Sequence, residues 1–152
     1  MNEAEIWLSC KDDLVRYAAA LVGPGEAEDI VSTVVVRILG SRKLTGLEDA
    51  RPYLFRAVLN ESRTRLARRP RILNLADLPE PPPPEPQPEV LEAVLGLPVG
   101  QRAATYLVYW GDLSVSEAAR LMGTRPGTVK RYLHLARAKL KGALDDRIHT
   151  DR

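Results

Sequence analysis

The stretch from Pro79 to Pro88 constrains this chain more than any other, because seven of its ten residues are proline. Each proline lacks an amide N–H and holds φ near −65°, so neither a helix nor a sheet ladder continues through it. The expectation is a polyproline II or disordered spacer, roughly 30 Å long at about 3.1 Å per residue. It divides the 152 residues into an N-terminal part, 1–70, a linker, 71–88, and a C-terminal part, 89–152. A ligand for an SH3-type domain is the rival reading. The acidity of the stretch, and its place between two helical patterns, argue against that.

Charge follows the same division. The formal net charge is only +2. Yet Arg51 to Arg71 holds seven arginines against the single acid Glu61. Ile72 to Gly100 holds five acids and no base, and Arg120 to Leu144 holds seven bases and no acid. Two basic blocks around an acidic spacer form a pattern suited to nucleic acid, although solvated helix faces produce similar runs. Other classes are excluded more simply. No run of about 18 apolar residues is present, so no transmembrane helix is expected. Met1 to Leu8 is acidic and mixed, which predicts no signal peptide. One cysteine, Cys10, rules out an internal disulfide. With only His134 and His149 beside it, no zinc site is expected. These features predict a cytoplasmic protein.

Both parts read as helical. Trp7, Cys10, Leu14, Tyr17 and Leu21 recur at three and four, the apolar face of a first helix that Gly23-Pro24-Gly25 ends. Ala27, Ile30, Val31, Val34 and Ile38 repeat that spacing. Glu26, Glu28 and Asp29 suit the positive end of this second helix. The β-branched run Val34-Val35-Val36 favours a strand locally, but the spacing outweighs it. After Gly40 to Gly46, a third helix is expected from Glu48 or Asp49, with Pro52 in its first turn and Pro70 as its stop. Leu54, Ala57, Val58 and Leu66 are its expected inward residues. In the C-terminal part, a short helix Val90 to Leu95 and a second, Arg102 to Trp110, are expected. Tyr106, Tyr109 and Trp110 read as core rather than as a platform for bases, since few cations neighbour them.

The C-terminal pattern then sharpens. Ser114 and Glu117 have the spacing of a capping box, followed by a short helix to Met122 whose small Ala118 and Ala119 admit a close neighbour. Gly123 supplies a turn, Pro126 suits a first helical position, and a long helix runs to about Ala143. Val129, Leu133, Ala136 and Leu140 form its inward stripe, leaving Lys130, Arg131, His134 and Arg137 outside. Short helix, glycine turn and a second helix with bases near its start fit a helix-turn-helix. The positive helix end meets phosphates, and the first turns reach base edges.

Gly111-Asp112-Leu113-Ser114, Glu117-Ala118-Ala119, Gly123 and Gly127-Thr128-Val129-Lys130 resemble region 4 of extracytoplasmic-function (ECF) sigma factors of the sigma-70 family. Leu97-Pro98, Arg102 and Ala136-Arg137-Ala138-Lys139-Leu140 fit the same pattern. The LuxR-type domain shares the Thr-Val-Lys helix but opens with a Leu-Thr-x-Arg-Glu stretch that is absent here. Ala27-Glu28-Asp29-Ile30-Val31, Arg37-Ile38-Leu39, Tyr53-Leu54-Phe55-Arg56, Asn60 and Arg68-Arg69 resemble region 2 of the same family, in the family's order. The chain departs from the pattern where a Gln-Glu pair and an aromatic are usual, at Ser32, Thr33 and Val35. It departs again at Leu39 and Tyr53, where tryptophan is usual, and at Thr64, where an acid or amide is common.

The resemblance implies an all-α protein of two small helical domains joined by a proline-rich linker, the C-terminal one a helix-turn-helix. It implies a sigma factor that binds core RNA polymerase and promoter DNA, with an anti-sigma factor as a further candidate partner and no membrane insertion. Arg125, Thr128, Lys130, Arg131, His134 and Arg137 are then expected at the −35 element. Tyr53, Arg56, Asn60, Arg63 and Arg65 are expected at the −10 element, with Tyr53 or Phe55 stacking on a base. Glu28, Asp29, Ser32, Thr33 and Arg37 are expected at polymerase. No paired carboxylates, nucleophile–base pair or phosphate loop is present, so no enzyme activity and no cofactor are expected. The alternative is a sigma-like DNA-binding regulator, or an interaction protein that binds an anti-sigma factor.

Overall fold

A computed structural model describes residues 3–41, 50–68, 94 and 96–150. Six α-helices are present among them: α1 (Glu3–Val22), α2 (Pro24–Ser41), α3 (Ala50–Arg68), α4 (Val99–Thr105), α5 (Val115–Met122) and α6 (Pro126–Thr150). α4 runs directly into a π-helical turn, Tyr106–Trp110, and no strand occurs among the described residues. The proline-rich linker, Glu48 and Asp49, Pro70, and the expected helix Val90 to Leu95 other than Val94 lie outside them.

α1 and α2 abut through one residue. Gly23 takes φ +98°, and its N–H donates to the Ala19 carbonyl at 2.8 Å, closing α1 in the left-handed conformation glycine tolerates best. Pro24 starts α2 at once, at the position where its missing N–H costs nothing. The valine run stays helical because Val34 is buried with Ile30, Val31 and Ile38, and this burial outweighs local preference. α6 continues past Ala143 to Thr150, so Gly142 does not end it.

α3 is buried on more sides than its periodicity suggests. Leu54 and Val58 are buried as expected, but so are Phe55, Leu59 and Ser62, while Ala57 and Leu66 are only half-buried. The reason is that α3 packs on α1 and α2 and also on α5. One apolar core therefore runs through both parts of the chain. Its centre is the Tyr17 ring, 5.0 Å from Phe55 of α3 and 5.8 Å from Tyr106 at the end of α4, centroid to centroid. Beside it Arg102 of α4 donates to the main-chain oxygen of Leu21, a carbonyl in the last turn of α1 that no helical partner reaches.

The Tyr17 hydroxyl is buried without a hydrogen-bond partner, and burial drives its pKa far above that of an ordinary phenol, so it stays neutral. A buried orphan hydroxyl costs about 1–3 kcal/mol. Tyr17→Phe keeps the ring and removes the orphan, so stability should hold or rise. Thermal unfolding measures this; a loss above about 1 kcal/mol would show that the hydroxyl has a partner in solution.

Candidate nucleic-acid and polymerase interfaces

The C-terminal site is built by its caps. The Ser114 hydroxyl accepts from the Glu117 N–H at 3.1 Å and lies 3.1 Å from a Glu117 carboxylate oxygen, fixing the start of α5. At the other end Gly123 adopts φ +70°. The Thr124 N–H donates to the Ala119 carbonyl at 3.0 Å, and that of Gly123 to Arg120 at 3.4 Å, the paired bonds of a Schellman turn. The Arg125 carbonyl receives the N–H groups of Thr128 and Val129 at 3.0 and 3.2 Å, and Pro126 opens α6.

Val129, Leu133 and Ala136 of α6 are buried, as are Ala118 and Ala119 of α5. Arg125, Lys130, Arg131 and His134 are exposed, and Thr128 is half-buried. The structure thus brings cations onto the first turns of a helix whose N-terminal pole is positive. Arg137 is exposed too, but it is held from below: its Nε donates to the Tyr109 hydroxyl, and its guanidinium lies 5.5 Å from that ring's centroid.

Two expected core residues are not core. Tyr109 and Trp110 are 51% and 57% exposed, whereas Tyr106 is half-buried against Tyr17. The π-helical turn explains this. The Gly111 N–H reaches back to the Tyr106 carbonyl at 2.8 Å, so one extra residue enters the turn and the following side chains rotate outward. Gly111 is required there, since a Cβ would lie 2.7 Å from the Leu107 carbonyl oxygen.

On α3, Arg56, Asn60 and Arg63 are exposed at i, i+4 and i+7, and Tyr53 is half-buried beside them. Phe55 does not support a base: it is buried against Tyr17, with the Arg51 guanidinium 4.9 Å from its ring centroid. Arg65 does not join the exposed group either. Its side chain is 23% exposed, and all three of its nitrogens are engaged. Nε donates to Glu61 Oε1 at 3.2 Å, Nη1 to Asp29, and Nη2 to the Thr33 hydroxyl at 3.0 Å. The Asp29 hydrogen bond is the main reason the Arg65 pKa rises further above its ordinary value.

Glu61 is the residue that sequence reasoning missed. Its side chain is 8% exposed, and its second oxygen accepts from Arg37 at 3.2 Å. The readable signal was the i, i+4 pair Glu61 and Arg65. The expected polymerase set therefore splits. Asp29, Thr33 and Arg37 bond into this network, and Glu28 and Ser32 do not; of the five only Thr33 is half-buried, the others being exposed.

Residues 88–140 match the family Sigma-70, region 4. Over 146 residues the chain is 32% identical to the RNA polymerase sigma-E factor of Streptomyces coelicolor, covering 88% of this chain and 81% of that protein. The sigma-E factor of Streptomyces avermitilis is 31% identical over 149 residues, covering 90% and 82%. The chain belongs to the extracytoplasmic-function sigma factors of the sigma-70 family. It is accordingly a transcription initiation factor and not an enzyme, and its partners are core RNA polymerase and promoter DNA; an independent regulator is not favoured. The fold also matches the sigma factor RpoE, co-crystallised with the anti-sigma factor NepR from Bartonella quintana, at a TM-score of 0.72 and 22% identity, over 93% of this chain and 96% of that one. Among the described residues, no helix of this sigma factor is long and apolar enough to cross a membrane, and no group of acidic, histidine or cysteine side chains suits a metal ion.

The cap gives a direct test. Ser114→Ala should cost about 1 kcal/mol of stability, and Ser114→Asp, which keeps an acceptor, much less. Urea unfolding compares them. Equal losses would mean that the hydroxyl does not cap α5.

Proposed function

We propose that the chain meets its promoter at two places. The first turns of α6 read the −35 element through Arg125, Thr128, Lys130, Arg131 and His134, with Arg137 on phosphate. The outward face of α3 opens and reads the −10 element through Tyr53, Arg56, Asn60 and Arg63. Core polymerase docks on α2 through Glu28, Asp29, Ser32 and Arg37, whose side chains are exposed, with Thr33 half-buried among them. The observation that carries this reading is the capped helix-turn-helix, with four exposed cations or imidazoles on and just before the first turns of α6.

The two DNA-reading elements touch in this structure. A Cβ on Gly123 would lie 2.7 Å from the Arg56 Cδ, so the turn of the helix-turn-helix rests on α3. On a promoter the two elements are about 25 base pairs apart by name, or roughly 85 Å of B-form DNA. Residues 1–70 and 89–152 therefore act as separable domains. The 18 linker residues, 71–88, reach roughly 55 Å at about 3.1 Å each, and the domains' own dimensions supply the rest. The site of action is the cytoplasm, where core polymerase works. An anti-sigma factor joins the set of partners, as one does for the Bartonella quintana sigma factor.

Run-off transcription with core polymerase from a cognate promoter tests the whole reading, and −35 duplex binding tests the helix. Arg131→Ala should cost about 1–3 kcal/mol in promoter binding and relax preference at one position. Arg137→Ala should mainly lower the salt dependence. Unchanged promoter affinity in Lys130→Ala, Arg131→Ala and His134→Ala would place the −35 contact elsewhere.

A further inference from the structure

The basic block on α3 divides into two structural populations. Arg56, Asn60 and Arg63 lie on the exposed face. Glu61 and Arg65 lie on the face that meets α2, and there they form a polar network with it. Asp29, Thr33 and Arg37 follow one another at i, i+4 and i+8 along α2; Glu61 and Arg65 stand at i and i+4 along α3. Arg65 reaches Asp29 and Thr33 across the helix pair and Glu61 along its own helix. Glu61 returns to α2 through Arg37. Such a ladder fixes both the sliding and the rotation of α3 against α2. A guanidinium suits this because its donors leave in one rigid plane, whereas an ammonium is a point charge without a fork.

We propose that Arg65 is a positioning residue, through which the polymerase-facing helix α2 sets the rotation of the promoter-opening helix α3, and not one of the groups that neutralise the displaced strand. This rests on the reading of α3 given above. Rotation matters because Asn60 precedes Glu61 directly. The buried Leu54, Phe55, Val58 and Leu59 set the coarse facing of α3, and anchoring Glu61 and Arg65 against α2 fixes the fine rotation at which Asn60 and Arg63 are presented. Asp29, Thr33 and Arg37 are tied into this network, with the Asp29 and Arg37 side chains still 70% and 64% exposed, and Glu28 and Ser32 are exposed outside it.

Arg65→Lys keeps the charge and loses the fork. Thr33→Val has no charge to lose and is nearly isosteric. Each is assembled as full-length sigma with core polymerase and transcribes two templates, one fully duplex and one with a preformed −10 bubble. Each variant should lower duplex transcription about tenfold relative to the bubble, because opening needs the aligned helix and the bubble does not. In binding of the holoenzyme to forked promoter DNA, Arg65→Gln, which removes the charge, should keep the wild-type salt slope, while Arg63→Ala lowers it by about one. That last arm reports on α3 as the strand-binding helix, separately from Arg65. A wild-type duplex-to-bubble ratio in either variant overturns the proposal, whether the transcripts are unchanged or reduced alike on both templates, as a purely structural role would give. A slope lowered by about one in Arg65→Gln overturns it equally.

Discussion

The Tyr17 ring, seated between Phe55 and Tyr106, is the contact on which the arrangement of this molecule depends. It is supplied by α1, received by α3 on one side and by α4 on the other, and so it joins the two parts that the proline-rich stretch separates in sequence. Each aromatic pair adds about 0.5–1.5 kcal/mol beyond the area it buries. Against this stand buried polar atoms without partners on the same three helices: the hydroxyls of Tyr17, Ser62 and Thr105 and the amide oxygen of Gln101. Each such atom costs about 1–3 kcal/mol while it stays dry. The cost of these dry polar atoms offsets part of the aromatic gain.

A second constraint acts within the N-terminal part. α3 carries arginines on opposite faces, and their surroundings give them different work. Those on the exposed face have the chemistry of strand binding. Arg65 packs against α2 and donates to two carboxylates and a hydroxyl. The same count of positive charges in the sequence thus covers two structural environments, and only the partners across the helix pair tell them apart.

Elements with local causes were legible from sequence. The cap at Ser114, the glycine at 123, the proline at 126 and the three-and-four spacing of Val129, Leu133 and Ala136 are all short-range, and together they defined the helix-turn-helix. Features that depend on a third element were not. Phe55 and Leu59 are core because α3 is covered from several sides, which a one-face periodicity does not encode. Tyr109 and Trp110 are exposed because of one extra residue in a helical turn, which apolar spacing does not show. The bonds of Arg65 to α2 were not legible because charge counts ignore partners; the nearby Glu61 was the clue to one of its bonds.

The most direct measurement places spin labels at Arg63→Cys on α3 and Lys130→Cys on α6, both exposed sites, with the buried Cys10 replaced by alanine. Distances are taken for the free chain and for the chain bound to core polymerase. The expected result is one short, narrow distribution in the free chain, lengthening into a distinct, longer one on polymerase as the Tyr17 seam opens. A distribution that stays short on a transcriptionally active polymerase would contradict the separation of the two domains.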